Sequence, residues 1–161
     1  METKELIDAL NRAIADEWFA HYQYWAGAQV AAGPLEPRTS REFLQHAQDE
    51  YSHATTIAAR VIALKGKPPI SPRAWWVNHF CGYTPPLDPF VLTLLDQNIA
   101  GETCAIEFYT ALSEKVQMSD PITYTMLQPI LAKEKEHRND LQEIRRAVAA
   151  LMPRESDGQE M

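Results

Sequence analysis

One arrangement of residues is written twice along this chain. Glu17 is followed by Tyr24 and then by Glu50-Tyr51-Ser52-His53, and Glu102 by Tyr109 and then by Glu134-Lys135-Glu136-His137. Glu and Tyr are 7 residues apart in both halves, and Glu and His are 3 apart. Glu17 lies 33 residues before Glu50, and Glu102 lies 32 before Glu134. Steps of 3 and 7 return to nearly the same side of an α-helix, so each group points one way. Four helices folded together would aim four carboxylates and two imidazoles at one interior spot. A lone Glu-x-x-His is a weak motif. Solvated glutamates and surface histidines would account for one such pair. They do not account for two in the same order at matched separations, nor for carboxylates that interrupt apolar stripes.

A carboxylate from each of two helices, plus a Glu-x-x-His from each of two others, is the ligand set of a di-iron or di-manganese site in a four-helix bundle. Carboxylate oxygen and imidazole nitrogen suit Fe(II) and Mn(II). Two divalent ions would balance the four negative charges of Glu17, Glu50, Glu102 and Glu134. Glu50 and Glu134 read as bridges, each able to span both ions while its helix supplies a His. Glu17 and Glu102 read as terminal ligands, with His53 and His137 one per ion. Tyr24 and Tyr109 are candidate donors to a ligand carboxylate, with ordinary core packing as the equal alternative. Asp16, Asp49, Glu107 and Glu136 fall off the inward face and are left out. His21 and His46, one turn from Glu17 and Glu50, read as partly exposed polar residues rather than as a secondary metal site.

The surrounding chain supports an all-α reading. Its 161 residues fit one domain with a real core. No run of 18 apolar residues exists, and the N-terminus reads as amphipathic helix rather than signal peptide, so a cytoplasmic protein is expected. A net charge of −7 with no basic run argues against nucleic acid and suits the attraction of cations. Cys81 and Cys104 are too few for a disulfide framework or a zinc site, and whether they meet is open.

The first helix is expected over Thr3 to Ala31, with Leu6, Leu10, Ile14, Glu17 and Tyr24 on one stripe. A buried, unpaired Glu17 would cost several kcal/mol, so it needs a partner such as a metal. Gly33-Pro34 ends this helix, and Pro37 keeps the connection irregular. The second helix is expected from Thr39, with Glu42 completing a capping box and Gly66 as the residue past its end. The proline-rich connection 67–87 is long enough to cross the bundle, with a short helix at Ala74–Phe80. Trp75 and Trp76 would cover a seam. Asp88-Pro89 and Asp120-Pro121 read as starts of the third and fourth long helices. The third ends near Val116. The fourth is expected to kink or break at Pro129 and to stop at Pro153. Residues 1–152 form the bundle domain, and 153–161 read as a disordered tail.

Two further stretches, Leu10-Asn11…Glu17…Gln23-Tyr24 and Arg60-Val61-Ile62-Ala63-Leu64-Lys65-Gly66-Lys67-Pro68, resemble the bacterioferritins of the ferritin-like superfamily. The similarity covers about residues 5–68 and 95–145. It implies a ferritin-like four-helix bundle with one long crossover connection between helices two and three. It also implies that Glu17, Glu50, His53, Glu102, Glu134 and His137 are ferroxidase ligands for two Fe ions per subunit, with Mn or Zn as substitutes. The implied activity is oxidation of Fe(II) by O2 or H2O2, with ferric mineral stored inside a hollow homo-oligomer. Tyr51 stands where that family carries its haem-binding Met, so haem is not expected. Bacterioferritins also carry a short fifth helix, and little beyond Pro153 is expected to form one. This and the long connection resemble the Dps-like miniferritins, which favours a 12-subunit shell over 24. DNA binding is not expected from so acidic a chain. The competing readings are a di-metal peroxidase or manganese-catalase-like enzyme without a cage, and a bundle with vestigial ligands.

Overall fold

The computed structural model describes residues 1–153, where five helices and no strands are found. These are α1 (Thr3–Val30), α2 (Glu36–Ala63), α3 (Pro72–Asn78), α4 (Val91–Val116) and α5 (Pro121–Leu151). Helices α1 and α2 pack along each other, as do α4 and α5, and short α3 lies against α1. The expected tail falls mostly on residues 154–161, outside the described range.

Each long helix carries apolar residues towards both ends and polar residues between them. One apolar cluster joins Leu6, Leu10, Ile57, Val61, Val116 and Leu127. The other joins Phe43, Val91, Leu94, Leu141, Ile144 and Val148. Glu17, Glu50, Glu102 and Glu134 fall between these two groups on their four helices, and all four are buried. The helix stripes thus bury two greasy layers with a charged layer between them. Such a charged layer is expensive unless its members are paired.

Several element ends differ from expectation. Helix α2 begins at Glu36 rather than Thr39, with Leu35 in the left-handed region (φ 59) as its first flanking residue. Pro37 sits in the first turn, where its fixed φ favours the helix and its missing N–H goes unneeded. Thr39 does not cap: its Oγ1 donates to the Leu35 carbonyl (3.0 Å). At the other end of α2 the left-handed residue is Lys65 (φ 64), not Gly66. The N–H groups of Lys65 and Gly66 close the turn on the carbonyls of Ile62 and Val61. Gly66 answers to space instead, because a Cβ there would lie 2.9 Å from both Ile7 Cγ2 and Val61 Cγ1.

Helix α4 starts at Val91, two residues later than Asp88-Pro89 implied. Asp88 instead accepts from the Phe90 N–H (3.0 Å) and the Thr93 hydroxyl (2.6 Å). That turn pairs with the end of α1: the Ala32 N–H reaches the Pro89 carbonyl (2.8 Å), and the Val91 N–H reaches the Ala32 carbonyl (3.0 Å). Asp120 caps α5 as expected, accepting from the Thr123 N–H (2.9 Å). It also holds Arg60 of α2 through Nη2 at 2.9 and 2.7 Å. Helix α5 runs without a break through Pro129.

Helix α3 starts at Pro72, capped by Ser71, and ends at Asn78. Trp75 stacks on Trp18 (5.2 Å between rings) and Trp76 packs on Phe19 (4.7 Å), so the tryptophan pair does cover α1. Cys81 and Cys104 form a disulfide that ties the connection to α4.

Candidate metal centre

Helix periodicity carries Glu17 of α1, Glu50 and His53 of α2, Glu102 of α4, and Glu134 and His137 of α5 to one buried spot. Their donor atoms fall into two overlapping sets. Glu17, Glu50, His53 and Glu134 present ligand atoms within 4.8 Å of one another, and so do Glu50, Glu102, Glu134 and His137. Glu50 and Glu134 belong to both. His53 Nδ1 lies 2.9 Å from Glu134 Oε1, 3.0 Å from Glu50 Oε2 and 3.4 Å from Glu17 Oε2. His137 Nδ1 lies 3.2 Å from Glu50 Oε1 and 3.5 Å from Glu102 Oε1 and Glu134 Oε2. Each shared carboxylate therefore turns one oxygen to each histidine. Donors bound at about 2.0–2.2 Å to one ion sit roughly 3–3.5 Å apart, which these separations match.

The electrostatics are those of a cluster whose counter-charges are protons. Burial pushes the carboxyls of Glu17 and Glu102 well up, and repulsion from Glu134 and Glu50 adds to it. Burial also pushes Glu50 up, but hydrogen bonds with His137 and His53 outweigh it and hold Glu50 below the usual carboxylate range. Burial alone would lower both histidines; bonds to the surrounding glutamates raise them instead, far above the ordinary imidazole value. Several atoms still lack a well-aligned hydrogen-bond partner: Glu17 Oε2, Glu50 Oε1, Glu134 Oε1 and His137 Nδ1. Orphaned buried donors and acceptors are rare in folded proteins. All four face the same spot, and an ion there would satisfy them together. The donors are oxygen and nitrogen only, which fits Fe(II) or Mn(II).

The two tyrosines cross between the halves. Tyr24 of α1 donates its hydroxyl to Glu102 Oε1 on α4, and Tyr109 of α4 donates to Glu17 Oε1 on α1. Both are fully buried, and burial with the neighbouring carboxylates raises both phenols well above their usual value, so the hydroxyls stay protonated as donors.

Two acids passed over in the sequence contribute. Asp49 Oδ2 lies 3.1 Å from His137 Nε2, on the side of the ring away from the glutamates. Such a bond fixes which nitrogen faces a metal. Asp16 accepts backbone N–H bonds from Phe80, Cys81 and Gly82, clamping the connection onto α1. Neither contact has a signal in helical spacing, because each partner belongs to another element. Beneath this clamp a cavity of about 160 Å³ reaches Glu17, Glu50, Glu102 and Glu134, with Cys81 and Cys104 on its wall.

His46 corrects the sequence reading more sharply. It is buried (1% exposed), and its ring stacks on His137 at 3.9 Å. Burial first, then the neighbouring His137, lowers it to about 3, so it is neutral. Its signal was present in the sequence, four residues before Glu50 on the same helix face. His21 is half-buried, with Nδ1 2.6 Å from the Ala47 carbonyl.

The model of the ferritin-like domain matches residues 7–150. The chain is 38% identical to a dodecameric thioferritin, the bacterioferritin-related protein of Bacteroides fragilis, with a TM-score of 0.89 over 95% of this chain and 94% of that one. It is 26% identical to a DNA protection during starvation protein of Pyrococcus furiosus, over 89% of this chain and 78% of that protein. A Dps homologue from Halobacterium salinarum shares the fold at a TM-score of 0.83 and 20% identity, over 89% of this chain and 80% of that one.

Proposed function

Given that the chain belongs to the ferritin-like domain family, we propose that it is a ferroxidase that oxidises Fe(II) and stores the ferric product. The observation that carries this reading is the sharing of Glu50 and Glu134 between two donor sets. Two Fe(II) ions, the substrate, would be held side by side. Glu17 and His53 would hold one, Glu102 and His137 the other, and Glu50 and Glu134 both. Each pair of Fe(II) ions gives up two electrons. One H2O2 accepts them with two protons as it is cleaved to two waters, or one O2 accepts them with two protons and becomes H2O2.

This chain's own groups do the positioning. The crossed tyrosines hold the terminal carboxylates, and Asp49 holds His137 with Nδ1 turned inward. Loading displaces the protons that balance the cluster in the metal-free protein, so uptake releases protons and strengthens as pH rises.

Storage requires a shell. Exposed aromatics on the outer side of α1 and α3, including Tyr22, Trp25 and Trp76, form a surface suited to burial against other subunits. The dodecameric relative supports a 12-subunit assembly. Within each subunit, residues 64–90 would cross the bundle. The end of α1 meeting the start of α4, and the end of α2 meeting the start of α5, support this path. No described helix is long and apolar enough to span a membrane, and a cytoplasmic site of action completes the reading. DNA is left out, since the chain carries −7.

The test is iron retained per subunit. Metal-free protein receives Fe(II) anaerobically, then O2 or H2O2 in separate runs, followed by size separation and iron assay. Many irons retained in a large particle is the expected result. A plateau near two in a small particle would replace storage with a di-metal enzyme such as a peroxidase.

A further inference from the structure

A second group of ligating side chains lies just outside the dinuclear arrangement. Glu42 and His46 are one turn apart on α2, and Asp140 faces them from α5. His46 Nε2 is 3.3 Å from Glu42 Oε1 and 3.9 Å from Asp140 Oδ2. The first separation is already that of two donors on one ion, and the ligand atoms of all three residues lie within 4.8 Å of one another. Both carboxylates are half-exposed, at 32% and 42% of their side chains, whereas the His46 side chain is 2% exposed. Neither nitrogen of His46 has a well-aligned hydrogen-bond partner. A buried imidazole is normally bonded through at least one nitrogen. Here one nitrogen is aimed at two acids without a well-aligned bond to either. The ring also has an inner aspect: it stacks on His137, and one of its nitrogens falls within 4.8 Å of donor atoms of both Glu102 and His137.

We propose that Glu42, His46 and Asp140 form a third divalent-cation site, reached from solvent, and that His46 passes ions between it and the inner carboxylates. The donor set is one imidazole and two carboxylates with positions left for water. It suits Fe(II), Co(II), Zn(II) or Mn(II) and neutralises a dication. The site has one open side and one buried side. The stacked ring is the only side chain common to this triad and to the group it forms with Glu102 and His137. The transfer half of the proposal rests on the dinuclear reading; the site itself does not.

Metal-free protein is titrated anaerobically with Co(II), following heat and visible absorption. The parent is expected to bind three ions per subunit, and the Glu42→Gln/Asp140→Asn double variant two. Both changes fall at half-exposed positions and preserve shape, and circular dichroism checks the fold. If the double variant binds as many ions as the parent, with the same affinities, the third site does not exist. A Glu17→Gln/Glu102→Gln variant separates the two readings. It should lose inner ions and keep the outer one. Losing none would overturn the dinuclear reading, while the first comparison still decides the outer site. For transfer, His46→Phe keeps a ring against His137 without its nitrogens. It should lose the third ion and slow oxidation of limiting Fe(II) about tenfold with the inner Co(II) capacity intact. An unchanged rate would remove transfer.

Discussion

Replacing Tyr109 by Phe removes one oxygen and keeps the ring that fills the core beside Phe108. Tyr109 is 2% exposed and Glu17 4%, so the change strips Glu17 Oε1 of its donor at a buried position. Leaving a buried acceptor unsatisfied costs about 1–3 kcal/mol. For a chain of this length each kcal/mol moves the midpoint by about 2–4 °C, so Tyr109→Phe should lower the Tm of the metal-free protein by about 2–12 °C. Tyr24→Phe strips Glu102 in the same way and should lose a similar amount. Metal affinity should fall about 10–100-fold in each, since an outer partner of a ligand is gone. Thermal unfolding by circular dichroism, with Co(II) titration in parallel, reads both effects. If both variants melt within about 1 °C of the parent, the hydroxyls are bystanders and the argument from burial fails.

Asp49→Ala should leave the ring of His137 free to turn, weakening metal binding by about 10–100-fold with little change in metal-free stability; Co(II) titration reads it. Asp120→Ala should cost about 1–2 kcal/mol at pH 7, from the lost helix cap and the lost partner of Arg60. Burial raises Asp120, but the Thr123 N–H and Arg60 outweigh it, and its carboxyl ends below the ordinary 3.8. Its contribution is therefore present above that value and lost as pH falls below it. The gap between parent and variant in urea unfolding should narrow in that acid range and nowhere above it. Reducing the Cys81–Cys104 bond, which spans 23 residues of sequence, should remove about 3 kcal/mol by loop entropy. Parallel melts with and without reductant check it, with Cys81→Ser as the control.

Much of the centre was legible because its signal is local. A helix repeats every 3.6 residues whatever surrounds it, so Glu50 and His53, or Glu134 and His137, must share a face. The four-helix pattern followed from the same arithmetic. What escaped the sequence depends on neighbours. Asp49 matters only because α5 lies beside that edge of α2, and Asp16 only because residues 80–82 return to it. Cys81 and Cys104 carry no spacing rule that would pair them. The ends of α2 were misjudged for another reason. Pro37 and Gly66 each have two physical uses, and the sequence does not say which one applies. Pro37 starts a helix rather than disrupting a loop, and Gly66 makes room for Ile7 and Val61 rather than supplying a left-handed turn.

The crossed tyrosines bear on how freely the chain could change over time. A doubled arrangement ordinarily leaves each copy able to drift while the other keeps working. Here the acid on α1 takes its proton donor from α4, and the acid on α4 takes its donor from α1. A substitution at Tyr24 is felt first by Glu102, 78 positions away in sequence, and one at Tyr109 by Glu17, 92 positions away. The two halves are thereby bound to a common fate: a change in the tyrosine of either is felt at the carboxylate of the other.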